Sequence, residues 1–320
     1  LELIGETDHV FVMGHKNADL DCTGACIGIY AIAQTIGKQC HIVLDHVSAG
    51  IRRLQERLME TEEYKDIFIN EQEALAKVNE NTLVVVVDTH RPVMTACPQL
   101  LEISKKIVVF DHHRKSTDFI DNAVLIYHEP YASSTCELIT EMIQYFGEKI
   151  KLQPLQADAL LAGITVDTKN FCAQTGAITF EAAAFLRRHG ADSVRVRLLF
   201  QNDMEAYQAK ASAVKDAKMI YKNMAFSVCP SNSVLTAAMA ADDLLNIIGV
   251  KASFVCCFLD DVVYISARSF GEINVQIIME KLGGGGHMTI SGAQLAHCTI
   301  EQAEQKLKEA IESYFKEEIK

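Results

Sequence analysis

The run Leu83-Val84-Val85-Val86-Val87 constrains this chain more than any other stretch. It is five apolar residues without a polar break, and it ends on Asp88. A strand with one wet face alternates; a strand without alternation is buried on both faces, as in a parallel sheet covered by helices. Similar apolar runs recur at Val10–Met13, His41–Leu44, Ile107–Phe110 and Val124–Tyr127. Helical patterns follow or separate them at Asp21–Ile36, Ile51–Glu60 and Ser133–Phe146. This alternation predicts an α/β fold.

In such sheets ligands bind beyond the carboxyl ends of the strands. The residues at those ends are therefore the candidates for chemistry. His15, Asp19 and Asp21 follow the first run in an H-x-x-x-D-x-D spacing. Asp88 follows the Val run, and Asp111-His112-His113 follows Ile107–Phe110. A further segment, Leu160–Val166, strand-like or simply apolar, ends on Asp167. Any one of these acids could be a helix cap or a solvated loop residue. Four apolar segments that each end in carboxylate or imidazole describe a metal site at a sheet edge. Carboxylate-rich ligation with some imidazole suits Mn²⁺ better than Zn²⁺, and a pair of such ions hydrolyses phosphate esters. A pair also needs a bridging carboxylate, for which Asp88 is the candidate. His15 and Asp19 are assigned to one ion, and Asp21, His112 and Asp167 to the other. Asp111 is read as orienting a ligand imidazole. His113 is left open between a structural histidine and a phosphate contact or proton donor. His90, Arg91 and Arg114 are left open between phosphate contacts and solvated loop residues. His9, His41, His46, His128, His189 and His297 are read as structural.

The second signal is Gly283-Gly284-Gly285-Gly286-His287. Four glycines in a row are costly in backbone entropy, and bare backbone can approach a phosphate and offer N–H groups to it. No Gly-Lys-Ser/Thr follows, so this is not a P-loop. Arg268 and Ser269 end a strand upstream, and Asn274 opens the next helix. Together with Gly284, Gly285, Gly286 and His287 they are read as holding the non-reacting part of a phosphorylated ligand.

At 320 residues the chain is long enough for two cores. Residues 1–190 read as the first domain. Residues 154–189 are helical apart from a break near Lys169–Gly176, and 191–222 read as a helical linker. Residues 223–320 read as a smaller domain: strand 224–229, helix 239–248, strands 253–259 and 262–267, helix 273–282, glycine loop, strand, helix 300–317. The ten cysteines are scattered without a C-x-x-C and read as free thiols, Cys22 and Cys26 among them as packing residues. The formal net charge is −12 and no basic stripe is present, which argues against long nucleic acid as a partner. No apolar run has the length of a membrane span and no secretion signal is visible. A chain that opens on Leu1 reads as part of a longer protein.

The strings HKNADLD, VVVVDTHRP, VFDHHRK and GITVDTKNF, with SARS and GGGGH downstream, resemble the DHH/DHHA1 phosphoesterase superfamily along nearly the whole chain. HEPYASSTCELITEM, TFEAAAFLRRHGAD and SFGEINVQIIMEKLGGGGH are similar to the catalytic region of GdpP-type cyclic-di-AMP phosphodiesterases. The resemblance implies an N-terminal DHH domain with a parallel sheet flanked by helices, and a smaller C-terminal α/β DHHA1 domain with a mixed sheet. It implies two Mn²⁺ ions, with Asp88, His112 and His113 catalytic. It also implies hydrolysis of cyclic-di-AMP to linear pApA, with pApA cut more slowly to AMP. A parent protein with a membrane anchor, a PAS domain and a degenerate GGDEF domain would place this region at the cytoplasmic face of a bacterial membrane. A homodimer is left open. Gln174 stands where the subfamily has Arg, and Ser291 where it has Ala. The alternatives are a nano-RNase and pAp phosphatase of the same superfamily, a RecJ-like exonuclease, and a receptor that binds a cyclic dinucleotide without cutting it. The VDTHRP and EPYASST strings argue against the first, the acidic charge against the second, and the complete ligand set against the third.

Overall fold

The computed structural model describes residues 1–201 and 203–318, and the chain divides into two compact units at Gln201. The first unit holds strands β1 (His9–Met13), β2 (Gln39–Val43), β3 (Phe68–Ile69), β4 (Thr82–Val87), β5 (Lys106–Asp111) and β6 (Leu125–His128). Its helices are α1 (Glu2–Gly5), α2 (Leu20–Thr35), α3 (Arg52–Met59), α4 (Glu71–Lys77), α5 (Leu100–Ile103), α6 (Thr135–Phe146), α7 (Pro154–Asp167), α8 (Ala177–Arg188) and α9 (Ser193–Leu199). All six strands are parallel, in the order β3-β2-β1-β4-β5-β6.

That order reverses direction between β1 and β4. In doubly wound sheets such a switch point opens a crevice at the carboxyl ends of the strands. The valine run is buried throughout because alternate residues enter different cores. Leu83, Val85 and Val87 pack with α2, α6 and α7, while Val84 and Val86 pack with Phe11, Met13 and Leu100 on the opposite face. Helix α2 is buried from Leu20 to Ala33. A Cβ on its Gly24 would stand 2.5 Å from the Ala159 carbonyl of α7, so the close passage of α2 over α7 depends on glycine there.

The segment 160–166 is the last part of α7, in keeping with the helical reading of 154–189. The helix is packed by α2, α6, α8 and α9, so it is apolar all round and its periodicity is hidden. The break expected at Lys169–Gly176 lies between α7 and α8.

The second unit holds α10 (Met204–Lys215), β7 (Lys218–Tyr221), β8 (Met224–Val228), α11 (Val234–Leu244), β9 (Ala252–Leu259), β10 (Val262–Ser269), α12 (Val275–Glu280), β11 (Gly285–Gly286), β12 (Ile290–Ala296) and α13 (Ile300–Glu318). Its sheet runs β11-β12-β10-β9-β8-β7 and is mixed: β8 and β9 are parallel and the other pairs antiparallel. Within 191–222, read as helical throughout, Lys218–Tyr221 is a strand instead. It turns back at Asn223, in the left-handed region at φ 61°, to pair with β8. Helix α11 starts at Val234, earlier than expected, because the Ser233 hydroxyl accepts the Thr236 N–H. No helix among the described residues is long and apolar enough to cross a membrane.

Candidate metal centre

The strands flanking the switch point deliver His15 and Asp88 side by side, with His15 Nε2 3.3 Å from Asp88 Oδ2. Asp88 follows β4 directly, and its N–H donates to the Phe110 carbonyl, which extends the sheet by one bond. Its φ of 61° lies in the left-handed region, sparsely populated by residues other than glycine. That turn aims the carboxylate across the strand ends. Asp19 caps α2 by accepting the Cys22 N–H at 3.0 Å, and its Oδ1 is 3.9 Å from His15 Nε2.

On the other side of Asp88 stands His112. Its Nε2 is 3.6 Å from Asp88 Oδ1, 3.2 Å from Asp167 Oδ2 and 3.8 Å from Asp21 Oδ2. Asp21 is gripped by the start of α6, where both its oxygens accept backbone N–H groups, from Thr135 at 2.7 Å and Cys136 at 2.8 Å. The Thr135 hydroxyl donates to Asp88 Oδ1 at 3.1 Å. Asp88 thus shows one oxygen to His15 and the other to His112. All six candidates, His15, Asp19, Asp21, Asp88, His112 and Asp167, come together around it.

The electrostatics follow from crowding. Burial pushes the Asp88 carboxyl well above the usual carboxylate range, and the charges of Asp21 and Asp19 push it further. Asp19, Asp21 and Asp167 are raised too, first by burial. Burial lowers His15. Burial also acts to lower His112, but Asp167 and Asp21 outweigh it and raise that imidazole to about 9. His112 Nε2 is buried and makes no hydrogen bond. Four crowded carboxylates around a buried imidazole nitrogen form a donor set that fits divalent cations. Cys22 lies closer than its reading as a packing residue suggests: its Sγ is within 4.8 Å of ligating atoms of His15 and Asp88. A hydrogen bond with Cys26 and burial push that thiol far up, which keeps it protonated.

Asp111 does not orient the candidate ligand His112, whose Nδ1 faces the Ala132 carbonyl at 3.4 Å. It holds His113 and His90 instead. Asp111 Oδ1 accepts the His113 N–H at 3.1 Å and the ring Nδ1 at 2.8 Å, and Oδ2 meets His90 Nδ1. Burial acts to raise Asp111, but the His113 and His90 bonds hold it well below the usual range. His90 is therefore a buried internal partner and does not face a phosphate. Sequence reasoning missed this group, and also Thr135, although EPYASST had marked the segment.

In the second unit the glycines are less loose than a run of four suggests. Gly285 and Gly286 pair with Gly292 and Ser291 of β12. The Gly284 N–H donates to the Met279 carbonyl, and the His287 N–H to that of Ile290. A Cβ on Gly284 would lie 2.1 Å from the Gly292 carbonyl, and one on Gly286, at φ 144°, 2.6 Å from that of Ile290. A Cβ on Gly285 would meet nothing within 4 Å. Gly283, Gly284 and Gly285 line a groove of about 560 Å³ with Tyr264, Ser266 and Gln294. Arg268, Ser269, Asn274 and His287 are not in its lining. Arg268 Nε donates to Asp242 at 3.2 Å, the Ser269 hydroxyl to Ile273 at 2.7 Å, and Asn274 caps α12. The first unit has a hollow of about 660 Å³, apolar and lined by Val85, Phe110, Ile126 and Tyr145, with none of the metal candidates.

Residues 9–164 match the model of the DHH family, N-terminal domain, and residues 222–317 that of the DHHA1 domain. The chain belongs to the DHH/DHHA1 family. It is 45% identical over 320 residues to the cyclic-di-AMP phosphodiesterase GdpP of Geobacillus thermodenitrificans, covering 98% of this chain and 49% of that protein. It is 42% identical to the cyclic-di-AMP phosphodiesterase PdeA of Listeria monocytogenes, covering 99% and 49%. The chain therefore spans about half the length of these curated relatives. The crystal structure of an exopolyphosphatase-related protein from Bacteroides fragilis superposes with a TM-score of 0.83 at 19% identity, covering 98% of this chain and 94% of that one. At that identity the match speaks for the fold.

Proposed function

We propose that this chain is the catalytic region of a phosphodiesterase that uses two Mn²⁺ ions to hydrolyse cyclic-di-AMP to linear pApA, and pApA more slowly to AMP. One observation carries the proposal: the Asp88 carboxylate stands between two donor groups, one oxygen toward His15 and the other toward His112. His15, Asp19 and Asp88 would hold one ion, and Asp88, Asp21, His112 and Asp167 the other. Bound there, divalent ions neutralise phosphoryl oxygens and make a nucleophile available at neutral pH. The α6 amides fix Asp21, and Thr135 fixes Asp88, so the donors do not rearrange when a phosphate arrives. His113 keeps Nδ1 on Asp111 and has Nε2 to offer to a substrate oxygen. In the second unit Gly285 is the position where glycine serves no packing need, so it is read as admitting ribose or phosphate. Arg268 adds positive charge, and Arg268 and His287 add donors, nearby in the chain.

The substrate is carried over from the relatives named for it, and the VDTHRP and EPYASST strings support it over the nano-RNase reading. The membrane anchor and the cytoplasmic-face location implied for a longer parent rest on the same resemblance. The test is to incubate the purified chain and Mn²⁺ with cyclic-di-AMP, pApA and pAp and to resolve the products over time. Opening of cyclic-di-AMP to pApA ahead of AMP is expected. Digestion of a long single strand with cyclic-di-AMP untouched would overturn the proposal.

A further inference from the structure

His90 is the histidine of the VDTHRP string, and its ring bonds Asp111 and the Ser116 backbone. It is 6% exposed, and both ring nitrogens are engaged inside the protein. Nε2 receives the backbone N–H of Ser116 at 2.9 Å. A backbone N–H can only donate, so Nε2 must present its lone pair and the ring proton must sit on Nδ1. Nδ1 then donates to Asp111 Oδ2. Asp111, fully buried, turns its other oxygen to the His113 backbone N–H and ring Nδ1. A second histidine completes the frame: His128, at the end of β6, meets the His113 carbonyl through Nε2 at 2.5 Å and lies edge-on to the His90 ring at 5.3 Å. His113 itself is half exposed, with its Nδ1 3.6 Å from Asp88 Oδ1.

We propose that His90 is a positioning residue for His113, acting through Asp111. The chain Ser116 N–H, His90, Asp111, His113 sets one tautomer at each ring and fixes the direction in which His113 Nε2 points. A half-exposed imidazole has two tautomers and a free ring flip; each bond in this chain removes one of those freedoms. Outer partners of this kind typically change activity or affinity by about 10–100-fold when lost. The kinetic arm of the argument rests on the phosphodiesterase reading; the ring geometry does not.

The test uses His90→Ala, His90→Asn and His90→Gln. The asparagine amide nitrogen falls where Nδ1 stood and can still donate to Asp111. The glutamine amide reaches toward the Nε2 position and leaves Asp111 without that donor. We expect His90→Ala and His90→Gln to lose about 10–100-fold in kcat with KM and bound-metal content near wild type. His90→Asn should recover most of kcat. In nitrogen-15 histidine spectra of the Mg²⁺-loaded protein, His113, assigned by its loss in His113→Gln, should show a protonated Nδ1 in wild type and His90→Asn. It should show tautomer averaging in His90→Ala. Wild-type kcat in His90→Ala, equal losses in Ala and Asn variants, loss of bound metal, or an unchanged His113 spectrum would each overturn the proposal. A wild-type protein inactive on cyclic-di-AMP would sink the functional reading, while the ring spectra would still decide the role of His90.

Discussion

Asp88→Asn separates what Asp88 does for the fold from what it does for cations. The carboxyl is 3% exposed, with Asp19, Asp21 and Asp167 around it. Its folded pKa is raised, first by burial and then by Asp21 and Asp19. For a raised carboxyl the sign is that stability is full at low pH and is lost as pH rises through the folded value. In chelator near neutral pH, an amide should therefore relieve the fold. Asparagine tolerates the φ of 61° well and can still accept from the Thr135 hydroxyl. Alanine would be a poorer probe, because the left-handed backbone costs it about 1–2 kcal/mol. We expect metal-free Asp88→Asn to be more stable than metal-free wild type by about 1–3 kcal/mol. At about 2–4 °C per kcal/mol for a unit of this size, that is a Tm higher by about 2–12 °C. Mn²⁺ at about 1,000 times its Kd should add about 4.1 kcal/mol to wild type and little to the variant. The order of stabilities should thus reverse when metal is added, and turnover should fall by about a thousandfold, or about 4 kcal/mol of barrier. Thermal melts in EDTA and in Mn²⁺, with product assays on the same samples, check this. A variant less stable than wild type in EDTA, or one stabilised by Mn²⁺ as fully as wild type, would refute the reasoning.

The glycines should divide by role. Gly284→Ala puts a Cβ against the Gly292 carbonyl and should destabilise the second unit by about 2–3 kcal/mol in urea melts, whereas Gly285→Ala should leave the melt unchanged and raise KM. Asp158 is buried and meets Arg195 Nε at 2.6 Å and Arg57 at 3.4 Å; Asp158→Asn should lower stability by about 2–3 kcal/mol, discounted for the hydration of Arg195, with no effect on metal content. His9, against His41 at 2.6 Å, is lowered to about 4, first by burial. Its contribution is full above the ordinary histidine value of 6.5 and is lost as pH falls toward 4, so His9→Gln should flatten the melt profile across that window.

The strands that build the site were legible because burial on both faces leaves unbroken apolar runs, and β1, β4 and β5 all show one. Their ends then named His15, Asp88 and the Asp111–His113 triplet directly. Asp167 was found by its apolar approach, a segment whose pattern fitted strand and helix alike. An α7 packed on every side has no polar face to reveal its period. β3 has two residues, too few for a pattern, and β11 is made of glycine, which carries no strand preference. Lys218–Tyr221 went unread because an exposed edge strand offers little apolar alternation. The His90–Asp111–His113 chain was invisible for a different reason: it joins residues 21 positions apart through the pairing of β4 with β5, and no local spacing encodes that.

The two helix ends at the site explain why its carboxylates are not equivalent. Asp21 meets the amino end of α6, where free backbone N–H groups and the helix dipole favour an anion. Asp167 is the last residue of α7, at the carboxyl end, where the same dipole opposes one. Its charge needs an outside partner, and His112 at 3.2 Å is one cationic group available. That imidazole cannot ligate a metal and remain protonated. A divalent ion held by the His112 nitrogen would deprive Asp167 of that partner, and Asp167 could then serve as a donor to the ion. On the proposed assignment Asp21 would be the fixed donor of the pair, and Asp167 the one whose ionisation depends on what else is bound.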